Sequence, residues 1–430
     1  MAEQNSLDHL RCPRLPLPPA IRGADGSFAY TTVAQRLPDI AKRVIAENEF
    51  PLAVIENLEA LIEELPNGLI RLLKPDAGPD LAEWAKYVEP FVGQSWLEVP
   101  WYFAEAYFYR RLLEATHYFL SGPQQGVDPF ALQKQLGLET AMDSIREISS
   151  RINAQLRAGH QWNSLELMTL LHFCLWGNRA DLSLWPAKLE APTTSQSQSA
   201  RHPDRSQIDA QLEQSHILVD ATSVLCSKIA SFKGDRIDLI IDNAGFELFC
   251  DLCLVDFLLN SEVAGMVCLH LKTQPIFVSD AMVKDVHYTL DTLATERDGE
   301  VRSLANRLQQ QLHSGRLCLR EDPFWTAPLA FWEMPDSLRQ GLSPASLIFV
   351  KGDANYRRLL GDRQWPFTTA LEDIACYFPA PIAALRTLKS EVATSLQVGQ
   401  AAALSNEDPQ WLTNGQWGVI QFVERSTDLA

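Results

Sequence analysis

Apolar residues recur at helical spacing through the first part of the chain. Between residues 30 and 185 they return every three or four positions, as in IAKRVIAENEFPLAVIENLEALIEEL and WYFAEAYFYRRLLEATHYFL, with almost no alternation of β-branched and polar residues. A period near 3.6 residues is typical of helices that bury one face. The pattern predicts an all-helical N-terminal domain over residues 1–186.

This pattern stops at a polar segment. The segment contains APTTSQSQSARHPDRS (191–206), which is rich in Ser, Thr and Gln and poor in apolar residues. Such a composition favours a solvated linker. We therefore predict a linker over residues 187–206 and a second domain over residues 207–430.

Short aliphatic runs, each followed by a polar or Gly-containing turn and a helical stretch, fill the second domain. Strands that alternate with helices in this way predict an α/β fold: a mostly parallel sheet flanked by helices, doubly wound and Rossmann-like. In such sheets ligands bind beyond the carboxyl ends of the strands. The predicted strands are HILVD (216–220), RIDLIID (236–242), MVCLHLK (266–272), PIFVSD (275–280), RLCLR (316–320), SLIFVKGD (346–353), IAALRTLK (382–389) and WGVIQFV (417–423).

Polar side chains collect at those strand ends. Asp242 and Asn243 follow the run RIDLII, and Gly245 and Glu247 come at the start of the helix after it. Gly permits a tight turn, and a helix N-terminus favours an anion. A carboxylate and an amide oxygen side by side are suitable ligands for Mg²⁺ or Mn²⁺. The same two residues are equally typical of a helix N-cap.

Asp280 ends the run PIFVSD and could complete the protein ligands of such a metal. A lone Asp at a strand end more often caps a turn, so the pairing with the Asp242 loop is what favours the metal interpretation. A substrate phosphate could then bind the cation and be polarised by it.

A segment of mixed charge follows the run SLIFV. The sequence KGDANYRRLLGDR places Lys351, Asp353, Asn355, Arg357 and Arg363 close together. An Arg there could hold phosphate oxygens with two parallel donors, and Asp and Asn could hold sugar hydroxyls. The segment is equally typical of a solvated helix start.

The overall charge makes local basic residues important. The chain has 37 Lys and Arg against 54 Asp and Glu, a formal net charge of -17, which repels nucleic acids and anionic lipids at long range. We expect no nucleic-acid or membrane partner and no obligate protein partner. A phosphate site here needs its own positive charge, from a metal or from residues such as Arg386 and Lys389 in LRTLKSE.

Cysteine usage and hydropathy predict a cytoplasmic protein. Eight Cys without a repeated spacing favour reduced thiols. No uncharged apolar run reaches the roughly 18 residues of a membrane span, and the first thirty residues do not resemble a signal peptide. Cys250 and Cys253 form a CxxC inside the predicted helix FELFCDLCLVDFLL, where packing is favoured over zinc or redox chemistry because no second pair of ligands stands nearby.

Polar residues in the helical half have two interpretations. Asn178, Arg179 and Asp181 follow an apolar helix end, and Glu105 and Arg110 lie in an aromatic helix. These residues could close over a substrate. Interdomain salt bridges and helix caps use the same residue types.

Several ordered motifs resemble the damage-control phosphatase family, formerly a domain of unknown function. The branch is the one with an Arg-Thr-x-Lys signature, here Arg386 to Lys389. The resemblance begins at about residue 95 and includes WLEVPWYFAEAYFYRRLLE and LWGNRADLSL. The motifs that carry it are DNAGFELFCDLCLVDFLL, HLKTQPIFVSDAMVKDV, FWTAP, LIFVKGDANYRRLLGDRQW, PAPIAALRTLKSEV and NGQWGVIQF.

The resemblance implies a metal site and a substrate class. It implies Mn²⁺, Co²⁺, Ni²⁺ or Mg²⁺ held by Asp242, Asn243 and Asp280. It also implies hydrolysis of small phosphorylated metabolites, notably sugar phosphates such as fructose 1-phosphate or fructose 6-phosphate. The residues implied to contact substrate are Glu247, Asp353, Asn355, Arg357, Arg386 and Lys389.

Three functional hypotheses follow. In the first, Lys389 and Arg357 stabilise charge during phosphate ester hydrolysis, and either a water or Asp242 itself attacks phosphorus. The second is S-adenosylmethionine-dependent methylation of protein carboxylates, which has been described for the same branch. That hypothesis is weakened because HILVDATSV lacks the usual Gly-rich loop. The third is a non-catalytic sugar-phosphate sensor, for which a metal held by two carboxylates is unnecessary.

Overall fold

A computed structural model describes residues 12–157, 162–177 and 215–425. The predicted linker lies outside these ranges, and so do Asn178, Arg179 and Asp181. Among the described residues, none of the helices combines the length and the apolar character that crossing a membrane requires.

Helices fill the described part of the first half, as the apolar spacing predicts. The first helical segment runs from α1 (Phe28–Thr31) through a π-helical turn (Thr32–Arg36) into α2 (Leu37–Glu47). Such π turns are frequent at functional sites. The helices that follow are α3 (Leu52–Glu64), α4 (Leu81–Val88), α5 (Trp101–Ala115), α6 (Ala131–Glu139), α7 (Met142–Arg157) and α8 (Ser164–Trp176).

Every residue of α5 is buried, including its charged ones. Burial of a charge is tolerated when a partner satisfies it, and Arg110 pairs with Asp76 at 2.6 Å and with Asp80 at 3.0 Å. Arg110 therefore holds α5 to the segment before α4. It does not close over a site.

Seven strands form one sheet in the order β1-β7-β6-β5-β2-β3-β4. All neighbouring pairs are parallel except β6 and β7, so the predicted mostly parallel α/β sheet is confirmed. The strands are β1 (Ile217–Asp220), β2 (Asp235–Ile240), β3 (Ala264–Leu271), β4 (Leu317–Glu321), β5 (Leu347–Lys351), β6 (Ile382–Thr387) and β7 (Gly418–Val423).

Helices connect the strands. They are α9 (Thr222–Ala230), α10 (Phe246–Asn260), α11 (Val283–Thr295), α12 (Gly299–His313), α13 (Asp336–Leu342), α14 (Asp353–Leu359), α15 (Leu371–Ala375) and α16 (Gln400–Glu407). The two short 3₁₀ turns Pro323–Thr326 and Phe331–Glu333 lie between β4 and α13.

The sheet separates two apolar cores, because successive side chains of a strand point to opposite faces. In β5, Ile348 and Val350 pack in the core that includes α2 and α5. Leu347 and Phe349 pack in the other core with α7, α8 and α10. Helices from the first half of the chain therefore cover both faces.

One predicted strand is wrong: PIFVSD (275–280) forms a turn. Phe277 and Val278 have φ angles of 49° and 67°, in the left-handed region that a strand excludes. Their apolar character, which predicted a strand, instead places the buried Val278 and the half-buried Phe277 against the core that holds α5. Asp280 therefore follows a strained turn and not a strand.

Candidate functional site

The loop that begins at Asp242 lies where the chain changes direction across the sheet. From β2 the chain continues to β3 and β4 on one side, and later to β5 and β6 on the other. Such a switch point opens a crevice at the carboxyl ends of the two central strands. Asp242 is 4% exposed there, and Gly245, with a φ of 73°, leads into α10.

Gly352, at the end of β5, makes room for Asp242. A Cβ at Gly352 would lie 1.8 Å from Asp242 Oδ2, a distance no side chain could accept. The φ of 81° at Gly352 is also one that glycine adopts at little cost. The position of the Asp242 carboxylate therefore depends on the residue that follows the neighbouring strand.

The strained turn brings Asp280 to the same loop. Asn243 and Asp280 form an isolated antiparallel bridge. Ala244 N donates to Ser279 O at 2.7 Å, and Ala281 N donates to Asp242 O at 2.7 Å. A β-branched residue with positive φ, such as Val278, is costly and persists where the surroundings enforce it. Here that conformation accompanies the juxtaposition of the predicted ligands.

Glu247 orients the amide of Asn243 and does not line the cavity described below. Asn243 Nδ2 donates to Glu247 Oε2 at 2.8 Å and to Asp242 Oδ2 at 2.9 Å, while Ser279 Oγ donates to Asn243 Oδ1 at 2.6 Å. The other oxygen of Glu247 pairs with the fully buried Lys351 at 3.0 Å. Burial would lower the pKa of Lys351, but Asp251 and Glu247 together raise it well above its usual range.

Lys272 forms an ion pair with Asp280 and does not line the cavity. It is 1% exposed, and its Nζ lies 3.3 Å from Asp280 Oδ2 and 3.2 Å from Asn355 Oδ1. Burial lowers the pKa of Lys272, and the charge of Asp280 opposes that shift.

Asn355 does not reach the cavity, contrary to the predicted contact with substrate. Its Nδ2 donates to Ile241 O at 3.2 Å and to Lys351 O at 2.9 Å, which ties the ends of β2 and β5 together. Because its Oδ1 accepts from Lys272, the same amide also fixes the lysine that holds Asp280. Asn355 is a positioning residue.

The Arg-Thr-x-Lys signature divides into a buried part and a part that lines the cavity. Arg386 is buried, and its Nε donates to Asp353 Oδ1 at 2.7 Å. It also donates to Ser390 O, Ser390 Oγ and Val392 O, so it organises the loop after β6. Arg386 therefore positions Asp353, whereas the prediction had it contact substrate. Lys389 lines the cavity.

Arg357 lines the cavity with both sides of its guanidinium group held by carboxylates. Its Nη1 donates to Glu105 Oε2 at 2.5 Å and its Nε to Asp362 Oδ1 at 2.7 Å, and the group lies 3.6 Å from the centre of the Trp101 ring. The guanidinium donors that were predicted to bind a phosphate therefore already bind Glu105 and Asp362. Burial raises the pKa of Glu105, against the charge of Arg357.

These elements line one cavity beyond the carboxyl ends of the central strands. Six of the nine predicted site residues line it, and Glu247, Asn355 and Arg386 stand behind it. The lining residues are Arg36, Trp101, Glu105, Asp242, Asn243, Phe277, Asp280, Asp353, Ala354, Arg357 and Lys389.

Sequence reasoning missed four residues that build this site. Arg36 comes from the π-helical turn, and Trp101 and Phe277 supply aromatic walls. Nothing in the local sequence marks these three. Lys272 did carry a signal, because a lysine that ends an otherwise apolar strand needs a buried partner.

The donors fit a hard divalent cation. Asp242, Asn243 and Asp280 offer two carboxylates and an amide oxygen, the ligand types that Mg²⁺ and Mn²⁺ accept together with water. Within the described ranges no group of three or more His, Cys, Asp and Glu side chains could hold a metal. A cation here would therefore depend on the amide of Asn243 as its third protein donor.

The CxxC takes no part in the site. Cys250 and Cys253 are buried on α10, and burial raises the pKa of both thiols. The predicted packing role is confirmed.

Comparison with known proteins identifies the family. The model of the damage-control phosphatase ARMT1-like domain matches residues 32–404 of this chain. The chain belongs to that family. The Danio rerio protein named damage-control phosphatase ARMT1 is 32% identical over 447 residues, which cover 94% of this chain and 97% of that protein.

Further relatives carry the same family name. The Rattus norvegicus damage-control phosphatase ARMT1 is 33% identical, over 92% of this chain and 96% of that protein. A crystal structure of a DUF89 family protein from Pyrococcus horikoshii is 13% identical, over 90% of this chain and 95% of that one, with a TM-score of 0.47. The resemblance found in the motifs is confirmed, and with it the hydrolase class of a damage-control phosphatase.

Proposed function

We propose that this chain is a metal-dependent phosphatase of small phosphorylated metabolites. Its substrate class is sugar phosphates such as fructose 1-phosphate and fructose 6-phosphate, and the cation is Mn²⁺, Co²⁺, Ni²⁺ or Mg²⁺. One observation carries the proposal: Asp242, Asn243 and Asp280 line a single cavity together with Lys389.

The proposed metal ligands would hold the cation to which a phosphoryl group binds. A cation held by Asp242, Asn243 and Asp280 would polarise that group. Glu247 and Ser279 fix the rotation of the Asn243 amide, so the ligand set is oriented before a cation arrives. Oriented ligands of this kind raise metal affinity and activity, typically about 10- to 100-fold per supporting residue.

Lys389 provides the local positive charge that an acidic protein needs for an anionic substrate. Its side chain lines the same cavity as the proposed ligands. Positive charge beside a transferring phosphoryl group stabilises the negative charge that develops on its oxygens. We assign that role to Lys389, and to Arg357 the positioning of Glu105.

The remaining lining suits a polyhydroxylated body. Glu105 and Asp353 present carboxylates that can accept hydrogen bonds from sugar hydroxyls, and Trp101 and Phe277 add apolar surface against the carbon skeleton. Three donors already fix Asp353 Oδ1, namely Arg386 Nε, Lys389 N and Ser390 Oγ. Specificity would follow from hydroxyl positions that match these fixed groups.

A phosphate-release panel tests the proposal. Purified protein with Mn²⁺ is assayed on fructose 1-phosphate, fructose 6-phosphate and p-nitrophenyl phosphate, alongside Asp242→Asn and Asp39→Asn. Asp39 is an exposed residue that pairs with Lys42, so its variant serves as the matched control. We expect release by the wild type and the control, and a loss of at least about 100-fold in Asp242→Asn. Absence of metal-dependent release across the panel would overturn the proposal.

A further inference from the structure

A second cavity, of about 390 Å³, shares a wall with the candidate site. Asp362 lines it and accepts from Arg357, which lines the first cavity, at 2.7 and 3.1 Å. Tyr102 also lines it, and its ring lies 5.5 Å from that of Phe277. None of the predicted metal ligands reaches this cavity, which we call the aromatic cavity.

Five aromatic side chains line the aromatic cavity. Large flat apolar surfaces in a concave site favour a ligand that has a flat or apolar body. The rings belong to Tyr87, Phe91, Tyr102, Phe103 and Trp332, and the charged lining residues are Lys86, Glu333, Arg358, Asp362 and Arg363.

Arg358 places a buried positive charge in this wall. It is 1% exposed, and its guanidinium group donates to Phe324 O, Trp325 O and Leu329 O at 2.8 to 3.1 Å. These carbonyls satisfy its hydrogen bonds without neutralising its charge. Among the described residues, no carboxylate forms an ion pair with Arg358, and burial lowers the pKa of the group.

Three cations and two carboxylates line the cavity, namely Lys86, Arg358 and Arg363 against Glu333 and Asp362. Lys86 also pairs with Glu83, and Asp362 pairs with Arg357, which Glu105 shares. Among the described residues, Arg358 and Arg363 are the cations of this lining for which no carboxylate forms an ion pair. A buried cation without a carboxylate partner is costly unless an anion completes it. The local charge therefore favours an anionic ligand.

Gly361 leaves space for the Trp332 ring in the wall of the cavity. A Cβ at Gly361 would lie 1.7 Å from the Trp332 indole, so only glycine permits the indole to occupy its position. Gly361 has a φ of 68°, which glycine adopts at little cost. Trp332 is thereby placed at the wall near Arg363, whose guanidinium group lies 5.9 Å from its ring.

We infer that the aromatic cavity is a second binding site, for a small organic anion that joins one carboxylate, sulfonate or phosphate group to a flat or apolar body. The rings hold the body, Lys86 and Arg363 bind the anionic group, and the buried charge of Arg358 attracts it through space. This site is separate from the proposed phosphatase site and does not depend on a metal.

A fluorescence titration tests the inference. The probe is 8-anilinonaphthalene-1-sulfonate, an aromatic anion, added to metal-free full-length protein. The test variant is Lys86→Glu, and the matched control is Lys42→Glu. Both lysines are exposed and pair with an acidic residue three positions before them, Glu83 and Asp39, but only Lys86 lines the cavity.

We expect saturable binding to the wild type and to Lys42→Glu, and binding weakened about fivefold or more in Lys86→Glu because a nearby charge is reversed. The uncharged probe N-phenyl-1-naphthylamine should bind Lys86→Glu and the wild type alike. Asp242→Asn, which changes the candidate site only, should bind the anionic probe with wild-type affinity. Equal affinity of the two lysine variants, weakened binding to Asp242→Asn, or no saturable binding would each overturn the inference.

Discussion

Gly352 leaves the space that the Asp242 carboxylate occupies: a Cβ at position 352 would lie 1.8 Å from Oδ2 of Asp242 and 2.1 Å from its Cγ. Gly352 and Asp242 follow the carboxyl ends of two neighbouring strands, β5 and β2. The position of the carboxylate is therefore set by the sheet and not by its own loop alone. This explains why the single residue between β5 and α14 is a glycine.

Replacement of Gly352 by alanine should disable the site. The new Cβ must displace the Asp242 carboxylate, and the φ of 81° adds backbone strain of about 1 kcal/mol or more. We expect Gly352→Ala to lose phosphate release by at least about 100-fold. The measurement is release from fructose 1-phosphate with Mn²⁺, with circular dichroism to show that the variant is folded.

Gly341→Ala is the matched control for this change. A Cβ at Gly341 meets nothing within 4 Å, and the residue lies in α13. An alanine in a helix should leave activity unchanged and stabilise the protein by up to about 1 kcal/mol. A folded Gly352→Ala variant with the activity of Gly341→Ala would show that Asp242 has no part in the reaction.

Lys272→Met should destabilise the metal-free protein and make it more responsive to metal. The change leaves Asp280 buried without its ion pair, which costs about 3 to 5 kcal/mol. A cation at the site would replace part of the lost positive charge. We therefore expect Mn²⁺ to raise the melting temperature of Lys272→Met more than that of the wild type. An equal rise in both proteins would mean that Asp280 does not hold the cation.

The sequence predicted the site residues better where they follow a regular strand than where they lie in irregular backbone. Asp242 and Asp353 follow buried strands, and the rule for parallel sheets predicts where such residues gather. Phe277 failed as a strand residue because its positive φ is imposed by tertiary contacts, which propensity cannot show. Arg36 was missed because a π-helical turn leaves no mark in the apolar pattern.

Residue type alone also could not separate groups that contact a ligand from groups that orient one. Asn355 and Arg386 have the chemistry to hold a substrate, and the sequence places them beside residues that line the cavity. Their hydrogen bonds are instead formed within the protein: Asn355 with backbone carbonyls and Lys272, and Arg386 with backbone carbonyls, Asp353 and Ser390. That distinction depends on which way each side chain points, and the spacing of motifs does not contain it.

The signature residues Arg386 and Lys389 should therefore fail in different ways. Arg386→Lys loses the planar fork that ties Asp353 to the loop after β6, so both kcat and the melting temperature should fall. Lys389→Met should reduce kcat about 100-fold or more while the melting temperature stays within a few degrees of the wild type. Steady-state kinetics and thermal unfolding of the two variants check this. Identical profiles would remove the distinction between a positioning and a catalytic role.

An ion cluster between the helical half and α11 predicts a stability difference that depends on pH. Lys284 pairs with Asp128 at 2.7 Å, and Lys134 pairs with Asp128 at 3.0 Å. Burial raises the pKa of Asp128, but the two lysines lower it to a net value below the usual 3.8. Since the folded pKa lies below the unfolded one, this stabilisation is present above about pH 4 and is lost as the pH falls through the folded value.

Lys284→Gln should lower the free energy of unfolding at pH 7 by about 1 kcal/mol, because Lys284 is partly exposed. That difference from the wild type should shrink as the pH falls below about 4. Urea unfolding across this range measures it, with Lys42→Gln as a control in which both partners are exposed. A difference that does not change with pH would contradict the assignment to Asp128.

The central claim is that Asp242, Asn243 and Asp280 hold a divalent cation that phosphate ester hydrolysis requires. The most direct test is the rate of phosphate release from fructose 1-phosphate by chelator-treated protein as Mn²⁺ is added back, for the wild type and for Asp280→Asn. We predict that Mn²⁺ restores the wild-type rate along a saturable curve and that Asp280→Asn stays near background. Release that survives chelation, or equal recovery in Asp280→Asn, would contradict the account.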